Sequence, residues 1–276
     1  SYVFDDCDAA ADVFALRKPG NIYSRLTNPT TEAFETRIAA LEGATAALVV
    51  SSGAAAIAYV VEDLTRAGDH IVSANTIYGG TYNYFEHTLK SHDVDCTFID
   101  PTQPDAIGNF EKAIRDNTKM VYIETIGNPN ANLIDVEALA EMCHSHGVPL
   151  VVDNTFATPY LFRPLDHGAD IVVESATKFI GGHGIVLGGV IAENGRFDWA
   201  GSGRFPWMVD ADPSYHGISF VKDCPDSPVC TRIRAIILRD MGACISPVNS
   251  FALMMSLETL SLRVERHVYN TQKVVE

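Results

Sequence analysis

Seven short apolar runs rich in Val and Ile recur along the chain, with helix-patterned segments between most of them. The runs cover residues 46–51, 70–74, 95–100, 119–124, 149–153, 170–175 and 185–192. Helical periodicity covers 30–41, 53–67, 79–91, 110–116 and 135–147. Repeated strand–helix–strand order needs crossover connections, which build a mostly parallel sheet covered by helices on both faces. Strands buried on both faces read as continuous apolar runs, as Leu150-Val-Val and Ile171-Val-Val do. Pro29 stands at the start of the first helix, and Gly43 and Gly147 lie at helix ends. The expected fold is therefore α/β, with a seven-stranded, mostly parallel sheet between helices.

Three segments depart from this alternation. Residues 1–28 read as an arm that leaves the body and contacts a neighbouring subunit. Residues 29–245 form the large domain, interrupted by an insert at 193–230 rich in Gly, Pro, Asp and aromatics. That insert is too long for an ordinary connection and is expected to be a functional loop or an interface. Residues 246–276 read as one long helix, the start of a linker. Its pattern reaches Glu276 without a cap or glycine, so the chain is expected to be a piece of a longer one.

The formal net charge is −15. This disfavours nucleic acid, which calls for basic stripes, and anionic membrane surfaces. No apolar run is long enough to span a membrane, and no signal-peptide pattern opens the chain. The six cysteines are scattered without a CxxC pair, as expected for a reduced, cytoplasmic protein. Cys143, His144 and His146 have the residue types of a metal site, but no second cluster accompanies them. They are read as the end of a helix, with no metal expected.

Chemistry concentrates at the ends of the strands, where open α/β sheets bind their ligands. Asp153 ends one apolar run, and Lys178 follows another within Ser175-Ala-Thr177-Lys178. Singly, a lysine there is usually a solvated charge and an aspartate a helix cap. Together they supply an amine for a Schiff base and a carboxylate for a pyridinium nitrogen, which is what pyridoxal phosphate chemistry requires. Ser52-Gly53-Ala54 follows a strand and opens a helix, and a helix N-terminus suits a phosphate. Ser175 and Thr177 add hydroxyls. Tyr78, before Gly79-Gly80, can stack on a ring, although a plain surface tyrosine is the simpler reading. Asn128, before Pro129, can reach a ring oxygen or simply make a turn. Tyr23 and Arg25 on the arm can offer a hydroxyl and a bidentate phosphate donor to a neighbouring subunit.

These segments stand in the order and spacing of one group. Tyr23-Ser-Arg25-Leu-Thr-Asn28-Pro29, Ser52-Gly53, Tyr78-Gly-Gly-Thr81, Asn128-Pro129-Asn130, Asp153-Asn-Thr155 and Ser175-Ala-Thr177-Lys178-Phe-Ile-Gly-Gly-His183 carry the likeness. Over nearly its whole length the chain resembles the Cys/Met-metabolism group of pyridoxal-phosphate enzymes. The resemblance implies an aminotransferase-like fold (fold type I) and pyridoxal 5'-phosphate as cofactor. It implies that Lys178 forms the Schiff base, Asp153 pairs with the ring nitrogen, and Tyr78 stacks on the ring and is available to shuttle protons. Gly53, the Ala54 backbone, Ser175 and Thr177 would hold the phosphate, and Asn128 would contact the ring oxygen. Tyr23 and Arg25 would serve the adjacent subunit of a homo-oligomer, a dimer of dimers. The group's small C-terminal domain, source of the arginine for the substrate carboxylate, has no counterpart in these segments.

Within the group the insert, with Trp199, Phe205-Pro206 and Tyr215, resembles the O-acetylhomoserine sulfhydrylases. Gly80 stands where methionine γ-lyases usually carry Cys. Ala54 stands where Gln or Met is frequent, and 184–189 replaces a more polar loop. The implied reaction is γ-replacement on O-acetyl-L-homoserine by sulfide or methanethiol, giving homocysteine or methionine and acetate. The alternatives are a γ-lyase or cystathionine γ-synthase on the same cofactor, and a non-catalytic paralogue kept for binding or assembly.

Overall fold

The computed structural model describes residues 2–15 and 17–276. Seven strands form one sheet: β1 (Ala46–Val50), β2 (His70–Ala74), β3 (Asp95–Ile99), β4 (Thr118–Glu124), β5 (Leu150–Asp153), β6 (Ile171–Glu174) and β7 (Gly189–Glu193). Their order across the sheet is β1-β7-β6-β5-β4-β2-β3. All neighbours are parallel except β7, which runs against both β1 and β6. Strands 1 to 6 therefore point their carboxyl ends to one edge. β2, β4, β5, β6 and β7 are buried at every position. That double-sided burial is the physical meaning of the unbroken Val/Ile runs.

The helices start where the sequence supplies caps. Asn28 Oδ1 accepts from Thr30 N–H at 3.0 Å and Pro29 takes the first turn of helix Pro29–Glu42. Ser52 Oγ accepts from Ala55 N–H at 3.1 Å at the head of helix Gly53–Leu64. Asp135 Oδ1 caps helix Val136–Ser145 through Ala138 N–H.

Several boundaries differ from the sequence expectation. The last strand begins at Gly189, not at 185, because Thr177 Oγ1 engages both the N–H and the C=O of Gly188 and draws it off the ladder. Ile185 and Leu187 are left exposed. The helix expected at 79–91 is α-helical only over Gly79–Asn83, then widens into a π-turn at Tyr84–Thr88 and tightens into a 3₁₀ turn at Leu89–His92. The helix expected at 110–116 lies earlier, at Ala106–Ala113. The long helix expected over 246–276 is two helices, Pro247–Leu257 and Leu260–Val275; the first packs on helix Pro29–Glu42.

The insert is largely ordered packing. Trp199, Phe205, Met208 and Phe220 are buried. Trp207 Nε1 donates to Asp63 C=O at 2.9 Å, and Lys119, itself buried, lies 5.1 Å from the Trp207 ring centroid. The arm carries a helix at Cys7–Phe14, and Tyr215 Oη of the insert donates to Phe14 C=O at 3.2 Å. Cys143, His144 and His146 occur at the end of helix Val136–Ser145. His144 Nε2 lies 2.8 Å from Asp170 Oδ2, and His146 Nε2 lies 3.0 Å from Glu111 Oε1.

Candidate functional site

A cavity of about 450 Å³ opens at the carboxyl ends of the strands. Its lining includes Gly53 and Ala54 after β1, Tyr78 after β2, Asn128 after β4, Asp153 at the end of β5, and Ser175, Thr177 and Lys178 after β6. Eight of the ten expected site residues thus converge from five separate segments. Tyr23 and Arg25 do not reach it. They line a separate hollow with Cys244, Ile245 and Ser246, and the Arg25 guanidinium lies 5.3 Å from the Tyr23 ring centroid.

One end of the cavity suits an anion. Gly53 and Ala54 are the first residues of their helix, so their N–H groups have no intrahelical acceptor. The helix dipole adds positive potential there. Residue 53 must lack a side chain: a Cβ would fall 2.6 Å from Ser175 Cβ and 2.8 Å from Ser175 Cα. That close approach brings the Ser175 hydroxyl beside the helix N-terminus. The Ser175 N–H in turn donates to Thr155 Oγ1 at 2.7 Å.

Asp153 is the buried acid of the cavity. Oδ1 accepts from Thr155 N–H at 2.9 Å and Oδ2 from Tyr122 Oη at 3.0 Å. Burial pushes its carboxyl above the usual range, and the Thr155 and Tyr122 bonds oppose that shift. Unlike Asp153, Lys178 is exposed to the cavity, and its amine makes no hydrogen bond or ion pair among the described residues. The Tyr78 ring is half-exposed and lies against residue 80, which has to be glycine for that approach. A Cβ at 80 would strike the ring at 2.5 Å. Asn128 N–H donates to Thr76 C=O at 3.1 Å, which ties the Asn128 loop to the Tyr78 loop.

Glu124, Tyr122 and Thr155 are among the residues of this site that carried no assigned role in the sequence. Glu124 lines the cavity, Tyr122 supports Asp153 from below, and Thr155 links Asp153 to Ser175. A strand-end Glu or a core Tyr has no distinguishing pattern. The available signal was the sheet register, which pairs Glu124 with Asp153.

Comparison with known proteins points to the same cofactor. Residues 1–276 match the family described as Cys/Met metabolism PLP-dependent enzyme. A homocysteine synthase of Schizosaccharomyces pombe is 49% identical over 272 residues, covering 98% of this chain and 63% of its own length. A sulfhydrylase of Fusarium oxysporum f. sp. lycopersici is 47% identical over 278 residues, covering 100% of this chain and 64% of its own. A Campylobacter jejuni protein assigned as an O-acetylhomoserine (thiol)-lyase carries a pyridoxyl-lysine phosphate in its crystal structure. It superposes with a TM-score of 0.93 at 37% identity, covering 99% of this chain and 68% of that one. The chain spans about 64% of the length of the first curated relatives it matches.

The cavity fits pyridoxal 5'-phosphate on its own terms. It has an anion cradle that a Cβ would fill, a buried carboxyl, an unpaired amine and a half-exposed aromatic ring. The matched residues, the superposition and this donor set agree: the chain belongs to the Cys/Met metabolism PLP-dependent enzyme family.

Proposed function

We propose that the protein catalyses γ-replacement on O-acetyl-L-homoserine, with sulfide or methanethiol entering at Cγ and acetate leaving. The observation that carries this reading is the single cavity holding Lys178, Asp153, Tyr78 and the Gly53 cradle. Similarity to a homocysteine synthase and to sulfhydrylases supports this reaction over a γ-lyase. Among the described residues, none of the insert lines the cavity, so its aromatic residues support the choice only as a likeness.

Bound pyridoxal phosphate supplies the electron sink for carbanion chemistry. Lys178 Nζ would hold the cofactor through its carbonyl carbon and would move a proton between substrate Cα and Cβ. Asp153 holds a proton on the ring nitrogen. A charge-assisted hydrogen bond of this type contributes about 1.5–3 kcal/mol net. Tyr78 would stack on the ring face and is available to shuttle protons. The N–H groups of Gly53 and Ala54, with the hydroxyls of Ser175 and Thr177, bind the phosphate. Thr177 Oγ1 already bonds to Gly188, so it also fixes the loop carrying Leu187 beside the cavity. Asn128 orients the ring through its oxygen.

Tyr23 and Arg25 are assigned to the phosphate of a second copy of the chain, in a homo-oligomer built as a dimer of dimers. Their separation from their own subunit's cavity supports this. Residues 29–245 are taken as the cofactor-binding unit, 1–28 as the arm, and 246–276 as the start of the linker. Cytoplasmic localisation is proposed from cysteine usage. No helix among the described residues is long and apolar enough to cross a membrane.

Product analysis of the full-length, cofactor-loaded protein with O-acetylhomoserine and sulfide tests the reaction. Homocysteine and acetate are expected. Ammonia and a keto acid as the main products would replace this reading with a γ-lyase.

A further inference from the structure

Glu124 and Asp153 are register partners at the ends of β4 and β5, and both line the cavity. Glu124 is only 8% exposed. Its Oε1 accepts from the Tyr78 N–H at 2.6 Å, its single hydrogen bond among the described residues. Oε2 has no partner there.

The bond from Tyr78 matters because little else holds that residue. Tyr78 opens helix Gly79–Asn83 without a side-chain cap. Its ring rests over Gly80, where no side chain limits it from below. The place of the ring over the cavity is set by Glu124 through the backbone and by the bare surface at residue 80.

The charge state of Glu124 follows from its neighbours. Asp153 faces it from β5, the Tyr122 phenol from its own strand, and the Lys178 amine shares the cavity. Two carboxylates side by side in one cavity are not both ionised near neutral pH. Asp153 accepts from two donors, so it keeps the negative charge. Glu124 keeps the proton. Since Oε1 accepts from Tyr78, the proton lies on Oε2. Burial first, and the charge of Asp153 second, push the Glu124 carboxyl up to about 8.

We propose that Glu124 is a positioning residue of this site and works as a neutral acid: Oε1 fixes Tyr78 over the cavity, and the Oε2 hydroxyl donates to an acceptor atom of the ligand bound there. This rests on the reading of the cavity as the pyridoxal phosphate site. Ionisation of Glu124 removes the donor and sets a second negative charge beside Asp153. Ligand affinity therefore falls as pH rises through the Glu124 pKa.

The probe is 4'-deoxypyridoxine 5'-phosphate, which has the ring and phosphate but no carbonyl. It reads the cavity without a covalent bond to Lys178. Its dissociation constant is measured by ligand fluorescence on cofactor-free protein, from about pH 6.5 to about pH 9.5, a range bracketing the Glu124 transition. The ligand titrates identically in each variant, so differences between profiles belong to the protein. Glu124→Gln keeps an acceptor and a neutral donor. It is expected to stay within about twofold of wild type at pH 7 and to lose about tenfold less affinity above pH 8, a change of about 1.4 kcal/mol. Glu124→Ala also lacks the ionisable acid, so its profile is expected to be flat, but it releases Tyr78 and is expected to bind about tenfold more weakly than Glu124→Gln at every pH. Equal affinities for the Gln and Ala variants, or an unchanged alkaline step in Glu124→Gln, would overturn the proposal while leaving the cavity assignment intact. Failure of wild type to bind the probe at any pH would overturn both.

Discussion

Tyr122 lies fully buried beneath the cavity, and its hydroxyl donates to Asp153 Oδ2 at 3.0 Å. The bond is the floor of the site. It orients a carboxyl whose other oxygen is held by the Thr155 N–H. Asp153 is thereby presented in one rotamer, with a lone pair left for an incoming N–H donor.

Removing that floor tests its role. Tyr122→Phe keeps the ring, which packs edge-on against Phe85 at 5.1 Å between centroids. The variant is expected to lose about 1–3 kcal/mol of stability, since Oδ2 stays buried without its donor. Urea denaturation of the cofactor-free protein measures this. Unchanged stability would show that the bond contributes nothing net.

Asp153→Asn is expected to retain cofactor but lose turnover by about tenfold or more, the value of a charge-assisted bond of about 1.5–3 kcal/mol. An amide cannot keep the ring nitrogen protonated as a carboxylate does. Cofactor stoichiometry and single-turnover rates separate binding from chemistry. Near-normal Cα proton exchange in the variant would contradict the assigned role.

The alternation of the chain and most of the cavity were legible in the sequence because both are local. A β-branched run ending in Asp153, or Ser52-Gly53 before a helix, announces itself within a few residues. Glu124 and Tyr122 do not, because their importance comes from the β4–β5 register and from packing depth. The start of β7 was misplaced for a related reason. Residues 185–188 have strand composition, but a side chain eleven positions earlier, Thr177, takes the backbone bonds of Gly188. The insert reads as irregular because its order comes from long-range contacts, Trp207 with Asp63 and Tyr215 with Phe14, and not from periodicity.

The phosphate cradle depends on a missing side chain. Gly53→Ala places a methyl group 2.6 Å from Ser175 Cβ and is expected to cost about 1–3 kcal/mol as overpacking. Pyridoxal phosphate affinity should fall at least about tenfold, roughly the loss of 1.4 kcal/mol. Gly79→Ala is the control, since nothing lies within 4 Å of a Cβ there and its φ is ordinary. Equal effects of the two substitutions would contradict a cradle at residue 53.

A second buried acid pair gives a stability prediction with a definite sign. Glu42 and Glu174 are both buried, and among the described residues neither Glu174 oxygen has a hydrogen-bond donor. Burial pushes Glu42 up to about 7; burial and the adjacent Glu42 carry Glu174 well above the usual range. The folded protein then holds protons that the unfolded chain has released above the ordinary value of 4.5. Stability should fall as pH rises from there through about 7. Glu174→Gln offers Glu42 a neutral donor and should flatten this slope. Urea midpoints at several pH values check it, and an unchanged slope would show that this buried pair is not its source.

The placement of Tyr23 and Arg25 outside their own cavity makes subunit mixing informative. In the full-length protein, Arg25→Ala and Lys178→Ala are each expected to be inactive alone. Mixed dimers should recover part of wild-type activity, since one of the two sites is then intact. No recovery, with mixed dimers confirmed by mass, would return the arm to its own subunit.

The central claim is that one lysine in one cavity carries the cofactor. Protein incubated with pyridoxal 5'-phosphate, reduced with borohydride and digested answers it through peptide mass mapping. The expected result is a single pyridoxyl-phosphate label on Lys178, lost in Asp153-containing protein only when Lys178 itself is replaced. A stoichiometric label on another lysine, or none on Lys178 in protein shown to be folded, would contradict the account.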